Sequence, residues 1–247
     1  MNESPFSLKN KTVFITGASS GLGAGAAIEC SKAGAKLVIS GRSEERLGKV
    51  YGCLEGEGHE RYIADLTSRS SIDDLADLLP PLDGLVLCAG ITKTIPVKFI
   101  SDEAVDEIFR TNTFSSMQLI KKLLKQKKLK RGGSIVFISS ISTSYADKGN
   151  SIYAASKGAI NSFSRVLALE MATKNITSNC IQPGFVPTSM LEKGSITEDQ
   201  LEAEKKKYPL GFGDVTDIAY GVIYLLSDAS KWITGSIFTI DGGVTLR

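Results

Sequence analysis

A tyrosine and a lysine stand four positions apart in Tyr153-Ala154-Ala155-Ser156-Lys157, so on a helix the phenol and the ammonium share one face. Far upstream, Thr16-Gly17-Ala18-Ser19-Ser20-Gly21-Leu22-Gly23 follows the apolar run Val13-Phe14-Ile15. A strand that turns tightly into a helix leaves the first N–H groups of that helix unpaired. Those groups and the helix dipole favour an anion, and glycines let a pyrophosphate approach the backbone. Together the two motifs suit the movement of a hydride and a proton to or from a carbonyl. A ketone that accepts hydride develops negative charge on oxygen and needs a proton donor whose pKa lies near the working pH. Free tyrosine titrates near ~10, and a positive charge beside it favours the phenolate. Lys157 is placed for that task. Ser139, Ser140 and Ser142 follow the apolar run ending at Ile138, and a strand-end hydroxyl there could donate to the substrate oxygen.

These groups meet only if the elements between them bring them to one edge. Strand signals recur at 12–15, 36–40, 60–64, 84–88, 134–139, 177–182 and 236–240, with helical stretches between them. The small-residue stretch from Ala24 to Ala33, stopped by Gly34, is one of those helices. Apolar strands alternating with helices predict an α/β, doubly wound Rossmann fold: a single parallel seven-stranded sheet with helices on both faces. Right-handed crossovers then align the strand ends, and ligands bind outside the carboxyl ends near the switch point. No linker or repeat divides the chain, so residues 1–247 are expected to form one domain. The polar stretch 189–213, with Pro209 and Gly211, reads as an insert carrying a short helix at 197–207.

Composition narrows the classes. A net charge of +2 gives no bulk attraction to nucleic acid or membrane. Cys30, Cys53, Cys88 and Cys180 lack Cys-x-x-Cys spacing and read as reduced thiols of a cytoplasmic protein. The single histidine, His59, excludes a histidine-rich metal site and reads as a solvated loop residue. The N-terminus lacks a charged-then-apolar signal pattern, and no apolar run is long enough to span a bilayer.

The spacing of the glycine turn is Thr-Gly-x-x-x-Gly-x-Gly, neither Gly-x-Gly-x-x-Gly nor a P-loop. With Tyr-x-x-x-Lys, Asp65-Leu66, Ala89-Gly90, Asn112, Ser140 thirteen residues before Tyr153, Pro183-Gly184-Phe185-Val186-Pro187-Thr188 and Thr234-Gly235 leading to Asp241-Gly242-Gly243, the chain resembles the short-chain dehydrogenase/reductase family over nearly its whole length. The resemblance implies catalytic roles for Asn112, Ser140, Tyr153 and Lys157. Tyr153 would be the general acid or base, Lys157 would also hold the nicotinamide ribose, and Asn112 would position a water leading to solvent. It implies cofactor contacts from Gly17, Ser19, Ser20, Gly21, Leu22, Gly23, Arg42, Asp65, Leu66, Ala89, Gly90, Tyr153, Lys157, Pro183, Gly184, Val186 and Thr188, and a substrate lid at 189–213.

At the end of the second strand, an acidic residue suits NAD and an arginine suits a 2′-phosphate. Gly41-Arg42 offers no acid, so NADP(H) is expected over NAD(H). Ser43-Glu44-Glu45 reads as a helix cap and first turn. One departure from the family pattern is Leu87-Cys88 where Asn-Asn is common; Cys88 is expected to pack as a small apolar residue.

The basic run Lys121–Arg131 reads as a solvated helix end. By resemblance to 3-oxoacyl-[acyl-carrier-protein] reductases, Arg131 and Lys174 could instead face an acidic acyl carrier protein. The expected substrate is therefore an acyl-thioester or small-molecule carbonyl. Sugar, polyol and other small-alcohol dehydrogenases share most of the pattern, and a catalytically silent NADP(H)-binding sensor or scaffold is the alternative of a different class. Helices near 101–128 and 152–171 carry apolar faces beyond what one sheet needs, and the resemblance, in which such helices pair into dimers and tetramers, implies a homotetramer.

Overall fold

The computed structural model describes residues 4–188 and 198–246. Seven strands, β1 (Thr12–Thr16), β2 (Lys36–Gly41), β3 (Glu60–Ile63), β4 (Leu82–Leu87), β5 (Leu129–Ile138), β6 (Thr177–Pro183) and β7 (Ile237–Ile240), form one sheet. Its order is β3-β2-β1-β4-β5-β6-β7, and every pair is parallel. The order reverses between β1 and β4, which opens a crevice at their carboxyl ends.

Strands β1, β2, β4 and the later part of β5 are apolar on both faces because both faces are covered there. Phe14, Val38, Leu85 and Phe137 point into one core with residues of α3 (Arg69–Leu78), α5 (Ser115–Lys125) and α6 (Ser151–Met171). Their neighbours Val13, Ile15, Leu37, Ile39, Val86 and Val136 point into the other. That second core is closed by α1 (Gly21–Lys32), α2 (Glu44–Tyr51) and α8 (Val215–Leu226). Each fully buried large apolar side chain contributes about 1.5–3 kcal/mol, so the two cores hold the strand ends in fixed register.

Helix starts show why the glycine turn differs. Ser43 caps α2, Ser68 caps α3 and Ser101 caps α4 (Asp102–Phe109), each accepting from a first-turn N–H. Asp214 and Asp217 form a reciprocal capping box on α8. No side chain caps α1, and its first turn carries no acid.

Three expectations need correction. The fifth strand begins at Leu129, not 134: Leu129 pairs with Leu82, the register then shifts, and Ser134 pairs with Gly84. Gly132, at φ +79°, supplies the left-handed step inside that irregularity. The basic run is therefore not one solvated helix end. α5 stops at Lys125, Lys122 is paired with Asp73 at 2.9 Å, and Lys130 in β5 is paired with Asp83 at 2.7 Å. His59 is half-buried rather than solvated. Its Nδ1 accepts from the Leu37 N–H at 3.0 Å and its Nε2 donates to the Glu55 carbonyl at 2.9 Å, stitching the loop to the start of β2.

Of the stretch 189–213, residues 189–197 lie outside the described residues. The expected short helix is α7 (Glu198–Lys205). After it, Tyr208 packs with Phe212, which stacks on Phe185 with ring centroids 4.3 Å apart. The Tyr208 hydroxyl accepts from the Phe185 N–H at 3.2 Å, and burial pushes its pKa up to about 12.

Candidate active site

A cleft of ≈ 1020 Å³ lies over the carboxyl ends of the strands. The glycine turn forms its floor. Gly17 (φ +66°) and Gly21 (φ +55°) hold left-handed conformations that other residues rarely adopt. A Cβ on Gly17 would stand 2.8 Å from the Ala89 backbone, and one on Gly23 2.4 Å from the Gly17 carbonyl oxygen. The turn is thus pressed against the end of β4 on one side and against its own helix on the other. The Ala18 N–H donates to the Ser40 carbonyl at 2.9 Å, which ties the turn to the end of β2. The uncapped first turn of α1, at Gly21, Leu22 and Gly23, faces this space with its N–H groups. That donor set fits a dinucleotide pyrophosphate.

Thr16, at the end of β1, spans the β1–β4 gap. Its buried Oγ1 accepts from the Cys88 N–H at 3.1 Å and from the Ala89 N–H at 3.3 Å, and donates to the Val86 carbonyl at 3.4 Å. Burial pushes the Cys88 thiol up to about 11, and the nearby Lys157 charge offsets only part of that rise, so it packs rather than reacts.

The chemistry-bearing groups stand on three elements. Tyr153 and Lys157 sit on α6, with the Lys157 ammonium 5.9 Å from the Tyr153 ring centre. Lys157 is 5% exposed, and its Nζ donates to the Ile138 carbonyl at 2.8 Å, so the end of β5 aims it. A Cβ on Gly90 would stand 3.3 Å from both that Nζ and the Asn112 Oδ1, so the glycine leaves room between β4 and the lysine. Ser140 follows β5 and opens a 3₁₀ turn, with its Oγ 3.1 Å from the Ser142 N–H.

Ser140, Tyr153, Lys157 and all the residues expected to touch a cofactor line the same cleft. Asn112 does not. It is buried in a π-helical turn (Arg110–Phe114) between α4 and α5. Its Oδ1 accepts from the Ile91 N–H at 2.8 Å, and its Nδ2 donates to the Ile91 carbonyl at 2.9 Å and to the Ser156 hydroxyl at 3.0 Å. Ser156 in turn donates to the Tyr153 carbonyl at 2.7 Å. Asn112 therefore ties the segment after β4 to the helix that carries Tyr153 and Lys157.

At the far end of the cleft, exposed Arg42 and Arg46 both line the wall. Ser43 accepts from the Arg46 N–H at 3.3 Å, so the expected cap of α2 sets both arginines at its start. Asp65 lines the wall there too. Bonds from the Thr67 N–H and hydroxyl, with the charge of Arg42, outweigh desolvation and hold its carboxyl below the ordinary value.

A family model described as enoyl-(acyl carrier protein) reductase matches residues 17–245. The 3-oxoacyl-[acyl-carrier-protein] reductase of Rickettsia prowazekii is 34% identical over 240 residues, 97% of this chain and 98% of that protein. A solved short-chain type dehydrogenase/reductase from Mycobacterium ulcerans superposes with a TM-score of 0.89 at 27% identity, covering 98% of this chain and 92% of that one. The chain belongs to the short-chain dehydrogenase/reductase family. It is an oxidoreductase that acts on CH–OH groups with NAD(P). A second solved structure, assigned as a 2-deoxy-D-gluconate 3-dehydrogenase of Agrobacterium tumefaciens with bound NADP, has a TM-score of 0.85 at 28% identity and covers 99% of this chain and 100% of that one.

Within this short-chain dehydrogenase/reductase cleft, sequence reasoning missed several wall residues. Arg46 was hidden in an ordinary helix start, in the first turn after the Ser43 cap that follows Arg42. Thr94, Asp147, Asn150 and Glu204 also line the cleft, from segments with no motif to mark them.

Proposed function

We propose that this chain is an NADP(H)-dependent reductase of a ketone to a secondary alcohol, with a 3-oxoacyl thioester as substrate. The observation that carries the reaction is the meeting of Ser140, Tyr153 and Lys157 in one cleft with the uncapped glycine turn. The cofactor supplies the hydride when bound. Gly17 to Gly23 would hold its pyrophosphate, Asp65 and Leu66 its adenine, Ala89 and Gly90 its adenosine ribose, and Pro183, Gly184, Val186 and Thr188 its nicotinamide half. Arg42, with Arg46, would hold a 2′-phosphate through charge-assisted bonds. In reduction the Ser140 hydroxyl donates to the carbonyl oxygen, and the Tyr153 hydroxyl gives its proton to that oxygen as the carbon gains hydride. Lys157, aimed by the Ile138 carbonyl, favours the phenolate left behind. Asn112 holds the Ile91 segment and the Tyr153 helix at their working separation.

The 3-oxoacyl assignment is supported by the full-length likeness to reductases of that name. A basic docking face for an acyl carrier protein is supported by Arg131, whose guanidinium donates to the Thr173 carbonyl at 3.1 Å and so lies beside Lys174. A second reading, a sugar or polyol dehydrogenase, is favoured by Asp147, Asn150 and Glu204 in the cleft wall, which offer acceptors to substrate hydroxyls. The whole chain 1–247 would act as one domain. We further propose a cytoplasmic homotetramer. Among the described residues no helix is long and apolar enough to cross a membrane. Exposed Val166 and Leu169 on α6, and Tyr220, Trp232 and Phe238 near the last strand, offer two apolar faces for self-association.

The test is NADPH oxidation with an acetoacetyl thioester beside a panel of sugars and simple ketones, with Tyr153→Phe as control. Turnover on the thioester that the substitution abolishes, with NADPH binding retained, is the expected result. Turnover only on a sugar would replace the substrate. Silence of the wild-type chain on every carbonyl would leave the sensor reading in its place.

A further inference from the structure

Behind Ser140 lies a polar cluster, buried at Asn161 and Gln182, that no step above uses. The Thr143 hydroxyl donates to the Ser140 carbonyl at 3.1 Å. The same oxygen accepts from Asn161 Nδ2 on α6 at 3.3 Å and from Gln182 Nε2 in β6. Gln182 Oε1 accepts in turn from the Thr239 hydroxyl of β7 at 3.3 Å. A hydroxyl has one proton and two lone pairs, so Thr143 has spent its whole capacity. Asn161 and Gln182 are both buried, and Asn161 Oδ1 has no partner. Asn161 thus gives its N–H to Thr143 while its own oxygen stays unpaired, a local cost that the surrounding bonds must outweigh.

The cluster joins the segment after β5 to α6, β6 and β7 at the point where the Ser140 backbone leaves the sheet. With its proton and both lone pairs committed, the Thr143 hydroxyl is held between the Ser140 carbonyl, α6 and β6, which restricts the geometry of the Ser140 backbone. The Ser140 hydroxyl needs such restriction, because its Oγ is also within 3.2 Å of the Ser142 hydroxyl, a competing partner for its proton.

We propose that Thr143, anchored by Gln182, is a positioning residue: it fixes the Ser140 backbone so that the Ser140 hydroxyl meets the substrate oxygen. This rests on the carbonyl reduction proposed above. Misplacement of a reacting group by about 1 Å can cost on the order of 100-fold in rate, so the loss should fall on the chemical step rather than on cofactor binding.

The experiment compares the wild-type chain with Thr143→Val, which keeps the shape and removes the hydroxyl, and Thr143→Ser, which keeps the hydroxyl. Turnover is read on the carbonyl panel, NADPH affinity by fluorescence, and amide hydrogen exchange at residues 140–144 by mass spectrometry. The expected result is a kcat about 10- to 100-fold lower in Thr143→Val, with NADPH affinity unchanged. Exchange at 140–144 is faster in that variant, and Thr143→Ser returns both readouts towards the wild type. The proposal is overturned if Thr143→Val keeps its kcat, if Thr143→Ser is as impaired as Thr143→Val, or if NADPH affinity falls in step with kcat. A wild-type chain that reduces no carbonyl sinks the proposed reaction instead. The exchange data then decide alone, and unchanged exchange in Thr143→Val refutes the hold on Ser140.

Discussion

Replacing Thr16 by valine isolates the clamp between the ends of β1 and β4. Valine preserves the shape of the side chain and adds no bulk. It strands the Cys88 and Ala89 N–H groups, which Thr16 now receives at 3.1 and 3.3 Å, and withdraws a donor from Val86 at 3.4 Å. An unpaired buried donor costs roughly 1–3 kcal/mol. Cys88 and Ala89 are half-buried at the edge of the cleft, so water can reach them in part and the low end applies. Two donors at about 1 kcal/mol each give a loss of about 2 kcal/mol. For a chain of this size that lowers Tm by roughly 4–8 °C. Thr16→Ser keeps the hydroxyl and loses one methyl, worth about 0.8 kcal/mol. Calorimetric melts of the two variants should therefore place valine below serine. A purely apolar account of this buried site demands the reverse order, and a valine variant that melts at or above the serine variant would refute the clamp.

Other outcomes follow from the same geometry. Arg42→Ala should weaken NADPH binding by about 10- to 100-fold, the scale of one lost charge-assisted bond, and leave NADH nearly unchanged; equal losses for both would remove the 2′-phosphate role. Gly17→Ala should abolish cofactor binding and cost at least about 1–2 kcal/mol from its left-handed backbone alone, read by titration and urea unfolding. At Asp241, burial raises the carboxyl, but bonds from the Thr245 hydroxyl and N–H and from the Gly243 N–H outweigh it, so its pKa lies below the ordinary value. A depressed carboxylate stabilises the fold above its unfolded pKa and stops doing so as pH falls through the folded one. Asp241→Asn should therefore be less stable than wild type at neutral pH, and the gap should narrow below about pH 4. Thiol mapping at neutral pH should modify exposed Cys53 first and half-buried Cys88 at the cleft edge more slowly, with Cys30 and Cys180 protected by burial until the chain unfolds.

The parts legible in the sequence were those built from local spacing. The turn from β1 into α1 needs left-handed backbone at positions 17 and 21, and both are glycine. The Tyr153–Lys157 pair needs only a helix. Strand signals survived because a sheet covered on both faces demands continuous apolar runs, which few other structures do. The start of β5 was lost because Lys130-Arg131-Gly132-Gly133 has the composition of a turn. There it is a strand irregularity, held by pairing to β4 that composition does not reveal. His59 was misread for a related reason: its two partners, Leu37 and Glu55, flank it in space and no local pattern announces them.

Sequence alone determined the order of elements, the glycine turn and the Tyr153–Lys157 pair, since each follows from backbone conformation and side-chain period within a few residues. Tertiary structure decided how those groups are aimed. Lys157 takes its direction from Ile138, Asn112 becomes a brace through Ile91 and Ser156, and Thr16 closes the gap to β4. Ser140 is held by Thr143, which is held by Gln182. All of these bonds but the one between Thr143 and Ser140 join elements far apart in the chain. A hydrogen bond is made or lost within a few tenths of an ångström, and only the packing of two apolar cores against one sheet sets distances that finely.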